Sequence, residues 1–288
     1  MSSQFKTFLF LGLLTGIILA LGQFMGGRSG LLIALALALV MNVGSYWYAD
    51  KLVLRMYKAR ELTESEAPML HKMVEELALA AKLPKPRVCL IPQEAPNAFA
   101  TGRDPEHAVV AVTEGILKLL SPDELRGVLA HEIGHILHRD ILIQCVAGVL
   151  GSVIMTIANI LQFTAIFGGS RDSDGRSNAG AALLLAFLAP LAASLIQFAI
   201  SRSREYLADA AGARLSGKPL ALASALGKLD ACSRRIPMRA GNQATAHMFI
   251  VNPFSAARMA SLFSTHPPVA ERIARLREMA APDTGIPR

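Results

Sequence analysis

Five consecutive residues, His131-Glu132-Ile133-Gly134-His135, carry the clearest chemistry in the chain. On an α-helix, residues four apart lie about 40° apart around the axis and about 6 Å apart along it, so His131 and His135 can offer two imidazoles to one metal ion. Glu132 is turned by about 100° from His131, where its carboxylate reaches a water on the metal instead of ligating it. That arrangement suits metal-assisted hydrolysis. Zinc acidifies a water, Glu132 accepts its proton as general base, and the hydroxide attacks a carbonyl polarised by the same ion. At this composition the HExxH pattern arises by accident in about one chain in a hundred. The bland alternative is a surface helix bearing two solvated histidines.

A catalytic zinc needs a third protein ligand and one open position. The metzincin pattern requires glycine at 138 and histidine at 141, but the chain has His138 and Ile141, which excludes that class. His138 lies about 10 Å along the axis from His131, too far to share its ion. A carboxylate from another helix is the remaining route, and Glu205-Tyr206-Leu207-Ala208-Asp209 offers one. Glu205 and Asp209, four apart, share a face, so Glu205 can ligate while Asp209 hydrogen-bonds the free nitrogen of a ligand histidine. Taken alone, Glu205 reads as an exposed helix charge. Asp140 is a further candidate for support of a ligand, or a simple partner of Arg139.

Local signals place these residues. Ser121-Pro122-Asp123-Glu124 is a capping box with proline at the first helical position, opening a helix that should run through His135 toward an apolar run. Thr63 to Glu66 fits another capping box, and Leu70, Met73, Val74, Leu77 and Ala81 recur at helical spacing before Pro84. Between the two helices, Arg87 to Ile91, Asn97 to Thr101 and His107 to Val112 suggest a small sheet. Residues after Arg202 read as mainly helical, interrupted by a loop from Ile236 to Pro253 that Gly241 and Asn242 would make mobile.

Four apolar runs frame these segments. Thr7 to Met25 and Leu31 to Tyr48 are each close to the roughly 20 residues that cross a bilayer, and Gly26 to Gly30 would turn them into a hairpin. Trp47 and Tyr48 end the second run as interfacial aromatics, with Lys51, Arg55, Lys58 and Arg60 following. Ile141 to Gly169 and Gly180 to Ile200 form a second pair around the polar turn Ser170 to Asn178, although Gln144, Asn159, Gln162, Pro190 and Gln197 also suit a hairpin buried against protein. The positive-inside rule puts both termini and both polar segments in the cytoplasm. His135 precedes the third run and Glu205 follows the fourth, so two crossings return the ligands to one membrane face. The expected organisation is an N-terminal hairpin (1–48), a segment bearing the HExxH helix (49–140), a second hairpin (141–200) and a helical segment with the third ligand (201–288).

Composition agrees. With 52% hydrophobic and 18% charged residues and a mean hydropathy of +0.40, the chain is too apolar for an ordinary soluble enzyme of 288 residues. Cys89, Cys145 and Cys232 are isolated and form no CxxC pair, which supports neither a disulfide framework nor a thiolate zinc site. A net charge of +7 comes without a basic block interleaved with aromatics, so nucleic acid is not an expected partner.

Together, the two N-terminal runs, Asn97 to Gly102, the HEIGH helix, the hydrophobic pair, Arg202 to Asp209, and Thr265-His266-Pro267-Pro268 followed by Arg272 resemble the M48 metallopeptidase family over essentially the whole chain. The resemblance implies a mainly α membrane protein with four spans and a gluzincin-like α+β catalytic domain, holding one zinc on His131, His135 and Glu205 with Glu132 as base. It places Asn97, Ala98, Phe99 and Ala100 at the cleft edge, where an extended peptide can add a strand. It brings His266 and Arg272 near the metal, with regulatory or transition-state roles, although His266 before two prolines also reads as a turn residue. It further implies proteolysis of misfolded or damaged membrane proteins on the cytoplasmic side of a bacterial inner membrane, under stress. Homo-oligomers and other quality-control proteases stay open as partners. Two alternatives are a prenyl-protein type of M48 protease, which has more spans, and a silent adaptor using zinc structurally, against which the open three-ligand site argues.

Overall fold

The computed structural model describes residues 3–152, 154, 202–236, 238, 243–252 and 267–281. The polar turn Ser170 to Asn178, the fourth apolar run, most of the third, and His266 lie outside the described residues.

The chain opens with α1 (Ser3–Met56), which breaks at Gly26 and Gly27. Gly27 adopts φ 55°, a left-handed backbone open to glycine at little cost, and the two arms fold back on one another there. Gly22 meets Gly30 and Ala34 so closely that a Cβ on either glycine would collide, and Asn42 Nδ2 donates to Thr15 Oγ1 at 2.8 Å. Small residues and an interhelical hydrogen bond are what hold helices together where lipid removes the hydrophobic drive. Among the described residues one helix, Gly26–Met56, is long and apolar enough to cross a membrane. It runs past Tyr48 through Lys51 and Arg55, so the basic residues extend the helix instead of ending it.

A four-stranded sheet follows, in the order β1 (Arg60–Glu61), β2 (Arg87–Ile91), β4 (Val109–Thr113), β3 (Ala98–Thr101). β2 and β4 are parallel and the outer pairings antiparallel. β4 is buried on both faces: Val110 and Val112 join a core with α2 (Pro68–Ala80), while Val109 and Ala111 join one with Tyr57 and Ile143. Double burial explains why its sequence is a continuous apolar run without alternation. The third strand starts later than its sequence suggests, because Asp104 caps a short 3₁₀ turn at Pro105–His107. β1 carries no sequence signal at two residues.

Thr63 to Glu66 does not start α2. Glu66 does bond back to the Thr63 N–H and hydroxyl, but the turn stops there and the helix begins at Pro68. Ala67 sits at φ −141°, ψ 61°, as the residue before a proline is driven out of the helical region.

α3 (Glu114–Leu119) leads into α4 (Pro122–Leu137), whose capping box forms as expected. α4 does not continue into the third apolar run. Asp140 N–H donates to His135 O and Arg139 N–H to Ile136 O, with Arg139 at φ 56°, which is a Schellman stop. The next helix, α5 (Ile141–Ser152), leaves at 91°.

α6 (Arg202–Ser216) packs against α4 through small residues. A Cβ on Gly134 would meet Ala208 and Ala211 at 3.1 to 3.2 Å, and one on Gly212 would meet the His131 backbone at 3.0 Å. α7 (Pro219–Ser233) and α8 (Val269–Ala280) cover the other side of the core. Within the expected loop from Ile236, Gln243–Met248 forms a 3₁₀ turn, and Phe249, Ile250 and Val251 are buried. Its apolar residues are its reason to pack. Phe249 stacks with Tyr57 and Phe99 in an aromatic trio with centroids 5.1 to 5.8 Å apart.

Candidate metal centre

The last two turns of α4 and the first turn of α6 meet in the interior, and one donor atom from each of His131, His135 and Glu205 lies within 4.8 Å of the others. The two Nε2 atoms face each other at 3.2 Å, and Glu205 oxygens lie 3.9 Å from His131 Nε2 and 3.5 Å from His135 Nε2. All three residues are buried. Two imidazole nitrogens and a carboxylate on one point form a donor set that fits zinc.

The opposite nitrogens are held from behind. Asp209 Oδ1 lies 2.9 Å from His131 Nδ1, which fixes that proton there and leaves the Nε2 lone pair toward the site. Asp140 Oδ2 faces His135 Nδ1 at 3.6 Å, and its other oxygen takes Arg204 at 3.4 Å. The Schellman turn brings Asp140 round to this position. Arg272, fully buried, grips Asp209 through Nε and Nη2 at 2.8 and 2.7 Å, donates from Nη1 to Ile250 O at 2.8 Å, and lies 3.6 Å from Glu205.

Glu132 stands one residue round the helix. Among the described residues its Oε1 is buried without a hydrogen-bond partner, while the Ala100 N–H of β3 bonds the carboxylate. An orphaned buried oxygen beside three converging donors fits a carboxylate that faces a water on a bound ion.

Burial pushes Glu132 up to about 7, with Glu205 adding to it and His135 and the Ala100 N–H opposing. Burial pulls His131 down to about 4 against the pull of Asp209. For His135 burial acts downward too, but the Asp140 contact and the charges of Glu205 and Glu132 outweigh it, reaching about 9. Asp209 is desolvated, yet Arg272 and His131 hold it at about 2.

Of the four strand candidates, only backbone groups face the site. Asn97 is buried and donates its side-chain amide to Val251 O at 2.7 Å, and Phe99 points into the aromatic trio. Thr113 N–H bonds Asn97 O, so by antiparallel alternation Ala98 and Ala100 turn their N–H and C=O away from β4. Ile250 N–H already donates to Ala98 O at 3.2 Å. Sequence reasoning missed this contact; its only signal is the apolar run Met248 to Val251.

A buried HExxH helix crossed by a glutamate-bearing helix, on a small mixed sheet, is the architecture of a metallopeptidase. The model of peptidase family M48 matches residues 64–280, and the chain belongs to that family of zinc-dependent metalloproteases. It is 55% identical over 282 residues to a Protease HtpX homolog of Syntrophobacter fumaroxidans, covering 97% of this chain and 100% of that one. It is also 55% identical over 276 residues to a Protease HtpX homolog of Pyrococcus furiosus, covering 96% and 95%. The crystal structure of S. mikatae Ste24p shares the fold at a TM-score of 0.51 and 21% identity, over 95% of this chain, which spans 65% of that one. The Protease HtpX homologs, with the apolar arm of α1, make it a membrane-bound protease.

Proposed function

We propose that the chain is a multi-pass zinc endopeptidase of the bacterial inner membrane. It would cleave misfolded or damaged membrane proteins at a site facing the cytoplasm. The observation carrying this reading is the meeting of His131, His135 and Glu205 beside the partnerless Glu132 Oε1. One zinc per chain, held by those three ligands, would acidify a water and polarise the peptide carbonyl. Glu132 would take the proton from the attacking water and return it to the leaving amine, its buried Oε1 being open to accept. Asp209 keeps His131 in the ligating tautomer, and Asp140 orients His135. Arg272 is a positioning residue, since its guanidinium is committed to Asp209 and Ile250 O. A substrate strand would add at the backbone of Ala98 and Ala100, displacing the Ile250 N–H. Two crossings between α4 and α6 would keep their ligands on one membrane face, within a four-span chain.

The test pairs zinc content with cleavage of an unfolded polypeptide. Wild type and Glu132→Gln should each hold about one zinc per chain, and Glu205→Ala should lose it. Cleavage should fall by at least about 10³-fold in Glu132→Gln, the order expected for a lost general base. Full activity in that variant would sink the assignment.

A further inference from the structure

A cavity of about 190 Å³, lined by none of the metal-centre residues, lies where the first arm of α1, the end of the second arm, the loop after β3 and the α4–α5 turn come together. Phe8, Leu11, Tyr46 and Leu142 supply apolar wall, and Arg103 and Arg139 supply charge. We propose that it is a binding site for the phosphate headgroup of an anionic phospholipid, a proposal that rests on the second arm of α1 lying in the bilayer.

Depth supports a lipid occupant. The arms turn at Gly26 and Gly27, and twenty residues of helix from there to Tyr46 span about 30 Å, close to the thickness of a hydrocarbon core. Tyr46, Trp47 and Tyr48 are all exposed, as aromatics at the headgroup level are. The cavity therefore lies at the height of lipid phosphates, with apolar wall supplied by the two arms of α1.

Charge supports an anion. Arg139 is exposed, and its guanidinium forms no ion pair or hydrogen bond among the described residues. It occupies the left-handed position of the Schellman turn, where glycine would cost less. Arg103 lies over the Trp47 ring at 4.5 Å and touches Asp104 at 3.3 Å and His107 at 2.6 Å. Asp104 also lines the cavity, but its carboxylate is taken up by the His107 N–H and ring as well as by Arg103. Among the described residues the cavity thus sets the free guanidinium of Arg139 and the paired one of Arg103 against one engaged carboxylate. A headgroup on Arg139 would sit one residue from Asp140, which faces the metal-site His135.

Trp47, the single tryptophan, reports on this site directly. The full chain is reconstituted in mixtures of brominated phosphatidylglycerol or brominated phosphatidylcholine with the unlabelled other lipid, and quenching of Trp47 is read. Phosphatidylglycerol should be preferred by about fivefold or more, the order expected for one basic residue at an anionic surface. Arg139→Gln and Arg103→Gln should each bring the preference near unity, while Arg139→Lys keeps it. Lys51→Gln removes the same charge from the interface outside the cavity and should change little; a loss equal to that of Arg139→Gln overturns a built site in favour of diffuse attraction. Abolition of the preference by millimolar inorganic phosphate overturns the lipid as its source. Equal quenching by the two lipids sinks the headgroup site alone, and no quenching by either sinks the membrane placement with it.

Discussion

At its N-terminus α4 is capped by three neighbouring residues, with Ser224 and Lys228 reaching Glu124 from 100 and 104 positions away, whereas at its C-terminus two histidines meet the nearby Asp140 and side chains from as far as 141 positions away. Ser121 Oγ takes the Glu124 N–H, Glu124 Oε2 takes the Ser121 N–H, and Pro122 fixes the first turn. His131 and His135, by contrast, depend on Asp140, Glu205, Asp209 and Arg272. The first end stabilises the helix as a helix, and its long-range bonds to Ser224, Lys228 and Lys218 attach to a start already set by its own cap. The second end specifies two ring orientations, at the expense of desolvating several charges that are tolerable only together. Local chemistry starts the element; long-range chemistry makes it a site.

The sharpest way to break this contrast is to remove a distant partner. Arg272→Met leaves Asp209 buried without its cation, and loss of one member of a buried pair costs about 3–5 kcal/mol. Ile250 O loses its donor in the same change. We expect a large fall in thermal stability together with loss of metal binding; chemical denaturation and zinc content measure the two. A fall in activity with stability intact would instead mean that Arg272 meets the substrate. Asp209→Asn is the milder form. It keeps shape and a hydrogen bond but removes the negative charge behind His131, and such support is worth about 10–100-fold in metal affinity. Competition with a zinc chelator should read that drop, and unchanged affinity would show that His131 is oriented by packing alone.

The same contrast explains what could be read from the chain. HEIGH, Ser121 to Glu124, and the helix before Pro84 are legible because their partners lie within one turn. Glu205 was reachable because a ligand set of two needed a third and one apolar pair of runs returned the chain to the same side. Asp209 followed from its spacing to Glu205. Arg272 came only through the family resemblance, since nothing in Val269 to Ala280 marks one of its arginines as buried. The false start at Thr63 shows the limit of local reading. The cap chemistry forms, but Pro68 restricts Ala67 and delays the helix. Ile250 on the edge of β3 was not legible, because a backbone N–H carries no residue type to read.

The smallest expected effect lies at the near end. Ser121→Ala removes the cap acceptor and should cost about 1 kcal/mol, with zinc affinity unchanged, because no metal-site residue touches the first turn of α4. Glu124 adds a pH signature. Although burial acts to raise it, the Lys228, Ser121 and Ser224 hydrogen bonds hold this carboxyl at about 2, below the 4.5 of a free glutamate. A carboxyl depressed in the folded state contributes stability that is fully present above about 4.5 and is lost as pH falls toward 2. Lys228 is half exposed, so solvent screens its share and about 1 kcal/mol is the size to expect. Glu124→Gln should therefore match wild type near pH 2 and fall behind it above pH 4.5, in denaturation curves taken across that window. If the gap persisted at the acid end, the helix start would be held by packing against Ser224 and α7 rather than by its cap, and the local end of α4 would be less local than its sequence indicates.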